Sequence, residues 1–208
     1  MAESFDRSDT ARLEAFSDGV FSIAITLLIL GIKVPRASEL GEGGLATALL
    51  GLWPQYLAFF TSFAAILAKW VNHHRIFQYI QRSDHTLHYW NGLVLLLITF
   101  LPFPTALMAE YLQHPEGNVA GAVFAGTFVA ISFAFKGLWR YASTRGRLVT
   151  PSIVEEDIEQ INKRLRYAPF LYMVPFAVAF FSPKLSVGLC FSLALVLGFK
   201  GWPAKRRH

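Results

Sequence analysis

The sequence predicts an all-α membrane protein with six transmembrane helices. Three observations carry this reading. Hydrophobic residues make up 54% of the 208 and charged residues only 16%, against about 45–50% and about 25% in soluble domains. Six apolar stretches approach the ~20 residues a helix needs to cross hydrocarbon. Of the 19 Lys and Arg, all but Lys33, Arg36 and Lys184 gather at one set of segment ends, as cytoplasmic ends do. That bias puts both termini in the cytoplasm and requires an even number of spans. The chain therefore reads as one six-helix domain over 1–208 in the cell membrane, with lipid as its solvent. The mean hydropathy of +0.41 agrees, and a pI near 9.5 reflects membrane loops rather than a nucleic-acid partner. The single Cys excludes a disulfide framework and the common multi-Cys metal sites.

Each element has its own justification. The first span, about 16–34, follows a mixed-charge start (Glu3, Asp6, Arg7, Asp9, Arg12) with no small-residue cleavage site after it. It is therefore expected to stay in the mature protein. The second covers about 45–71 and the third about 89–109. The fourth, about 119–139, mixes Gly, Ala and Ser with Phe, as helix-packing surfaces do. The fifth, about 167–181, and the sixth, about 185–199, are short. Only Ser182, Pro183 and Lys184 separate them, so they read as a tight hairpin. Pro54, Pro102, Pro104, Pro169 and Pro175 are expected to kink their helices, which lipid tolerates where neighbours satisfy the freed carbonyls. In the 144–166 segment, Glu155, Glu156, Asp157 and Glu159 precede Lys163, Arg164 and Arg166. Ile153, Val154, Ile158, Ile161 and Leu165 recur at helical spacing there. Begun by Pro151-Ser152, this is an amphipathic helix leading into the fifth span, with charges ordered to suit its dipole.

Chemistry-bearing groups are sparse. No Asp/Glu/His chain crosses the apolar stretches, which speaks against a proton-coupled pump, and Glu110 reads as an interfacial group. The first span stands apart. Asp18, Ser22 and Thr26 are four apart and share one helix face. A carboxylate suits a helix start, and Ser and Thr can bond back to their own carbonyls. Ile23, Leu27 and Leu30 recur at i, i+4 and i+7, a spacing that core and lipid contacts use as well. A second cluster, Lys69-Trp70-Val71-Asn72-His73-His74-Arg75, ends the second span. His73 and His74, with His85 and His88 nearby, invite a metal. Membrane di-iron oxidases need several HxxHH-type boxes, more than the six His of this chain supply, so no metal or cofactor is expected. His73 and His74 are better read as hydrogen-bond partners for Asp18 and Arg12 at one membrane level, where an unpaired charge is costly.

These residues resemble a known family. Arg12-x-x-x-Phe16-Ser17-Asp18-Gly19, at the start of the first of six helices, is similar to the R-x-x-x-F-S-D signature of the transmembrane protein 175 potassium channels. The Trp70-x-x-His73-His74 block resembles their bacterial members. The resemblance covers essentially the whole chain. Animal members carry two such six-helix repeats and work as dimers, whereas one signature copy resembles the prokaryotic homotetramer. The resemblance implies a passive channel with modest preference for K+ over Na+. The first helix of each subunit would line a central pore, with no TVGYG filter. The constriction would fall on Ile23, Leu27 and Leu30, and hydroxyls linked to selectivity on Ser22 and Thr26. The signature network would comprise Arg12, Phe16, Ser17 and Asp18 with Trp70, His73 and His74. A secondary transporter and a membrane enzyme are the alternatives. The prolines of the third span are the one hint of the broken helix a transporter would show.

Overall fold

The computed structural model describes residues 7–151 and 153–199. Ser152 and the C-terminal cations Lys200, Lys205, Arg206 and Arg207, used above in the helix-start and charge arguments, lie outside them. The described chain folds into α1 (Arg7–Leu27), α2 (Gly44–Gly51), α3 (Trp53–Phe77), α4 (His85–Phe100), α5 (Pro102–Tyr111), α6 (Gly117–Ser143), α7 (Glu155–Ala179) and α8 (Pro183–Phe199). Taken with their direct continuations these make six helical rods, one for each apolar stretch. Asp9–Gly31, His85–Tyr111 and Gly117–Gly146 are each long and apolar enough to cross a membrane. The α2–α3 pair makes a fourth if its 46° bend is counted within one span, and Pro183–Gly198 is apolar but shorter.

Proline and glycine explain several departures from the expected boundaries. The second stretch is not one straight helix. It breaks at Leu52, and Pro54 sits in the first turn of α3, where a missing N–H costs nothing. It starts a helix rather than kinking one. Pro102 and Pro104 likewise open α5 after a break at Leu101, while Pro169 and Pro175 lie inside α7. The helix expected in 144–166 begins at Glu155 and runs unbroken into the fifth rod. The first rod tightens into a 3-10 turn over Leu28–Gly31.

α6 is the central post and packs against α4, α5, α7 and α8, while α3 packs against α1, α5 and α8. A row of small residues permits the closest approach. A Cβ on Gly117 would lie 3.1 Å from the Pro183 ring, and one on Gly121 would lie 3.2 Å from Ala179. Without water, buried polar groups need protein partners, and the helices are pinned accordingly. Ser62 and Thr105 join α3 to α5 at 2.6 Å. Trp139 Nε1 donates to Asn162 Oδ1 at 2.9 Å between α6 and α7. Ser186 donates to the Pro175 carbonyl at 2.8 Å between α8 and α7.

Lys69 corrects the sequence reading. Counted above among the charges at a membrane surface, it is in fact buried. Its ammonium donates to Ser132 Oγ at 3.1 Å and lies over the rings of Tyr172 at 5.0 Å and Phe135 at 5.6 Å. Ring faces replace water around the cation.

The end carrying most cations is cross-braced. The α3–α4 and α6–α7 loops meet in an antiparallel bridge, Ile80 with Val149, extended by Gln81 N–H to Leu148 C=O and Thr150 N–H to Tyr79 C=O. Burial and the neighbouring Asp157 carboxylate push the Tyr79 phenol above its ordinary range. Asp84 is the centre of this end. One carboxylate oxygen caps α4 through Leu87 N–H at 2.8 Å. The other accepts from Tyr141 Oη at 2.6 Å and faces Arg147 Nε at 3.8 Å. Asp84→Ala removes a helix cap and orphans a phenol, so the protein should lose about 2–3 kcal/mol of stability. Denaturation in detergent is the check, and an unchanged midpoint would show the brace to be unimportant.

Candidate functional site: the first helix and its buried anchor

α1 touches only part of its surroundings. It packs against α3 and α4 with Ser17, Phe21, Ala24 and Leu28, all buried. The opposite side is bare. Arg12, Phe16, Gly19, Ile23, Thr26, Leu27 and Leu30 recur every three or four residues along one exposed stripe. Ile23 is 59% exposed, Leu27 44% and Leu30 74%. An apolar stripe of this length on a long helix requires a partner, either lipid or other copies of the chain. The 3-10 turn adds a detail absent from the sequence pattern. With three residues per turn, side chains at i and i+3 eclipse, so Leu30 stands over Leu27 instead of drifting around the helix.

The two expected hydroxyls differ. Thr26 lies on the stripe and donates to its own helix at Ile23 C=O, 2.9 Å away. Ser22 lies on the flank, with Asp18, Ile25, Ile66 and Trp70 around a groove of about 350 Å³ between α1 and α3.

A directional hydrogen-bond chain sets the rotation of α1. His73 Nε2 donates to Asn91 Oδ1 at 2.8 Å. Asn91 Nδ2 donates to Ser17 Oγ at 2.9 Å, and Ser17 donates to Leu13 C=O at 2.7 Å. The donors and acceptors fit in one direction only, because the Ser17 hydroxyl has a single proton to give. All three side chains are buried. Phe77 stacks on the His73 imidazole with centroids 4.4 Å apart, and Phe21 approaches at 5.4 Å.

The expected partners are therefore redistributed. Asp18 accepts from Trp70 Nε1 at 2.8 Å, not from a histidine. His74 Nδ1 pairs with Glu14 at 2.8 Å. Arg12 and Phe16 point away on the bare stripe, and Arg12 has no polar partner among the described residues. Helical geometry explains this, since Arg12 and Asp18 are six apart and fall on different faces. Reasoning from sequence missed Asn91 and Glu14. A lone Asn inside the apolar run from Tyr89 was the available signal. Among the described residues no group of three or more His, Cys, Asp or Glu is placed to hold a metal.

Asn91→Ala strands the His73 N–H and unlinks three helices, so it should cost about 1–2 kcal/mol, the upper range for such bonds in membrane proteins. Ser17→Ala removes one link and should cost less. Equal losses, measured by denaturation in detergent, would show that Asn91 is not the central link.

Comparisons with known proteins bear on what this arrangement serves. Residues 12–102 match the family model of the endosomal/lysosomal potassium channel TMEM175. A potassium channel of Chamaesiphon minutus is 54% identical over 96% of this chain and 98% of its own. The crystal structure of a lysosomal potassium-selective channel TMEM175 homolog from the same organism superposes with a TM-score of 0.84. That alignment is 54% identical and covers 91% of this chain and 96% of that one. The endosomal/lysosomal proton channel TMEM175 of Gallus gallus is 34% identical over 90% of this chain but 37% of its own length. The family and these relatives are ion channels, not enzymes, and the chain belongs to the TMEM175 family of membrane ion channels.

Proposed function

We propose that the chain is a passive K+-selective channel. Four copies, each with six spans and both termini in the cytoplasm, would surround one pore lined by α1. The bare stripe of α1, bearing Ile23, Leu27 and Leu30, is the observation that carries this reading. One helix cannot enclose a path, so a pore needs several copies around an axis. Rings of branched apolar side chains offer an ion no ligands and form a dehydration barrier. Thr26 and Ser22 supply the nearby hydroxyl dipoles. With no carbonyl cage, preference for K+ over Na+ rests on partial dehydration and is modest. The named potassium channel and potassium-selective relatives support K+ as the permeant ion.

Native mass spectrometry in mild detergent should give a tetramer, and a monomer alone in both detergent and lipid would sink the assembly. Ile23→Asn should raise unitary conductance several-fold and move the K+/Na+ reversal potential toward parity. Ile25→Asn, on the half-buried flank packed against the core, should impair folding without that change. Planar-bilayer recording under bi-ionic conditions reads both. If Ile23→Asn, Leu27→Asn and Leu30→Asn all leave conductance and reversal unchanged, the pore lies elsewhere. Current carried by a proton gradient alone would make H+ the ion, and flux that saturates with ion concentration would mark a transporter.

A further inference from the structure

The C-terminal end of α6 carries a second feature, remote from the α1 stripe. Between α4 and α6 lies an open groove of about 820 Å³. Lys136, Arg140, Arg145 and Arg147 converge on it, and Trp90 and Phe133 form its apolar wall. A second groove of about 520 Å³, on the α7 side of the same helix end, shares Lys136 and Arg140 and adds Arg166. Of these five cations only Arg147 has a carboxylate partner among the described residues, Asp84 at 3.8 Å. That pairing is loose, and the Arg147 side chain is 62% exposed.

The floor of the larger groove is built rather than incidental. The Trp90 ring lies so close to Gly137 that a Cβ there would overlap it, so only glycine at that position admits the indole against α6. The wall is apolar and open, with Phe133 exposed; Lys136 rests over the Phe133 ring at 6.0 Å and over the exposed ring of Phe170, beside the groove, at 5.7 Å. The groove caps Gly117–Gly146, a helix able to cross the membrane. It therefore lies where acyl chains give way to headgroups. Positive-inside bias and the helix dipole account for cations at this end. They do not account for convergence on a cleft whose other wall is aromatic and faces lipid.

We infer that this groove binds the phosphate headgroup of an anionic phospholipid, with the first acyl carbons against Phe133 and Trp90. Clusters of basic residues at the cytoplasmic mouth of helix clefts suit such headgroups. The placement in the cytoplasmic leaflet rests on the orientation proposed above, whereas the binding rests on the groove alone. The basic C-terminal tail, Lys205-Arg206-Arg207, has the wrong charge to occupy it.

The test is lipid retention by the purified full-length chain in native mass spectrometry, which reads no ion flux and so fails independently of the channel reading. Phosphatidylglycerol should be retained over phosphatidylcholine. Lys136→Gln/Arg140→Gln should lower that retention at least about tenfold, since each cation near the surface is worth ~1 kcal/mol toward anionic lipid. Arg145→Gln/Arg147→Gln, in the loop outside the helix packing, should do the same and keeps the test open if the first variant does not fold. Lys163→Gln, an exposed charge on α7, should change nothing. Equal retention of both lipids by the unaltered chain, or full retention by a folded double variant, would overturn the proposal. Equal loss in Lys163→Gln would reduce the effect to net charge. Displacement by glycerol 3-phosphate at matched concentration would make the ligand a soluble phosphate. Loss of lipid together with loss of the oligomer would make the groove a contact between copies.

Discussion

The rotational setting of α1 depends on one buried amide. Asn91 accepts a hydrogen bond from His73 on α3 and donates one to Ser17 on α1, so three helices share a single side chain. Lipid offers no driving force to tell one apolar helix face from another. The side of α1 bearing Phe21, Ala24 and Leu28 and the side bearing Ile23, Leu27 and Leu30 are both apolar, and hydrophobicity alone would not choose between them. A donor and an acceptor in fixed positions remove that freedom. Once Ser17 faces Asn91, Phe21, Ala24 and Leu28 must pack inward and Ile23, Leu27 and Leu30 must face out.

The same rule runs through the interior. Ser62 with Thr105, Trp139 with Asn162 and Lys69 with Ser132 each tie two helices with one polar contact. Shape does the rest, through small residues on α6 that admit Pro183 and Ala179. Specificity in this fold thus lies in a few polar contacts and close approaches within an apolar mass that would pack in many ways.

That division explains what the sequence made legible. The three helices long and apolar enough to cross a membrane, and the bent α2–α3 pair that makes a fourth, follow from apolar length, and the helix from Glu155 follows from the order of its charges, because both are local properties. The break at Leu52 was hidden, since Pro54 serves a helix start as readily as a kink. The 3-10 turn at Leu28–Gly31 was hidden as well, because Leu-Ile-Leu-Gly continues an apolar run in either geometry. At the site, Ser17, Asp18, Trp70, His73 and His74 were all singled out, and Trp70 does meet Asp18, yet the partners of the two histidines were not foreseen. Partnership depends on which helix stands alongside, and α4 contributes Asn91 from a stretch that otherwise reads as plain lipid-facing residues. Lys69 was misplaced for the same reason, since a cation near a helix end reads as exposed until two aromatic rings are seen to enclose it.

The two ends of the helix bundle are fastened by unlike means. At the cation-rich end a backbone bridge, a buried phenol and the Asp84 cap lock two loops to the helices. At the other end the close packing of Gly117 against Pro183 is joined by side-chain ties, Lys33 with Glu110, 70% and 52% exposed, Lys33 N–H with Gln55 and Lys184 over the Trp53 ring. Exposed pairs of that kind are weak and screened by salt. The Lys33–Glu110 tie is accordingly weaker than the brace around Asp84. Raised salt will therefore loosen the Lys33–Glu110 tie while the backbone bridge at the cation-rich end holds.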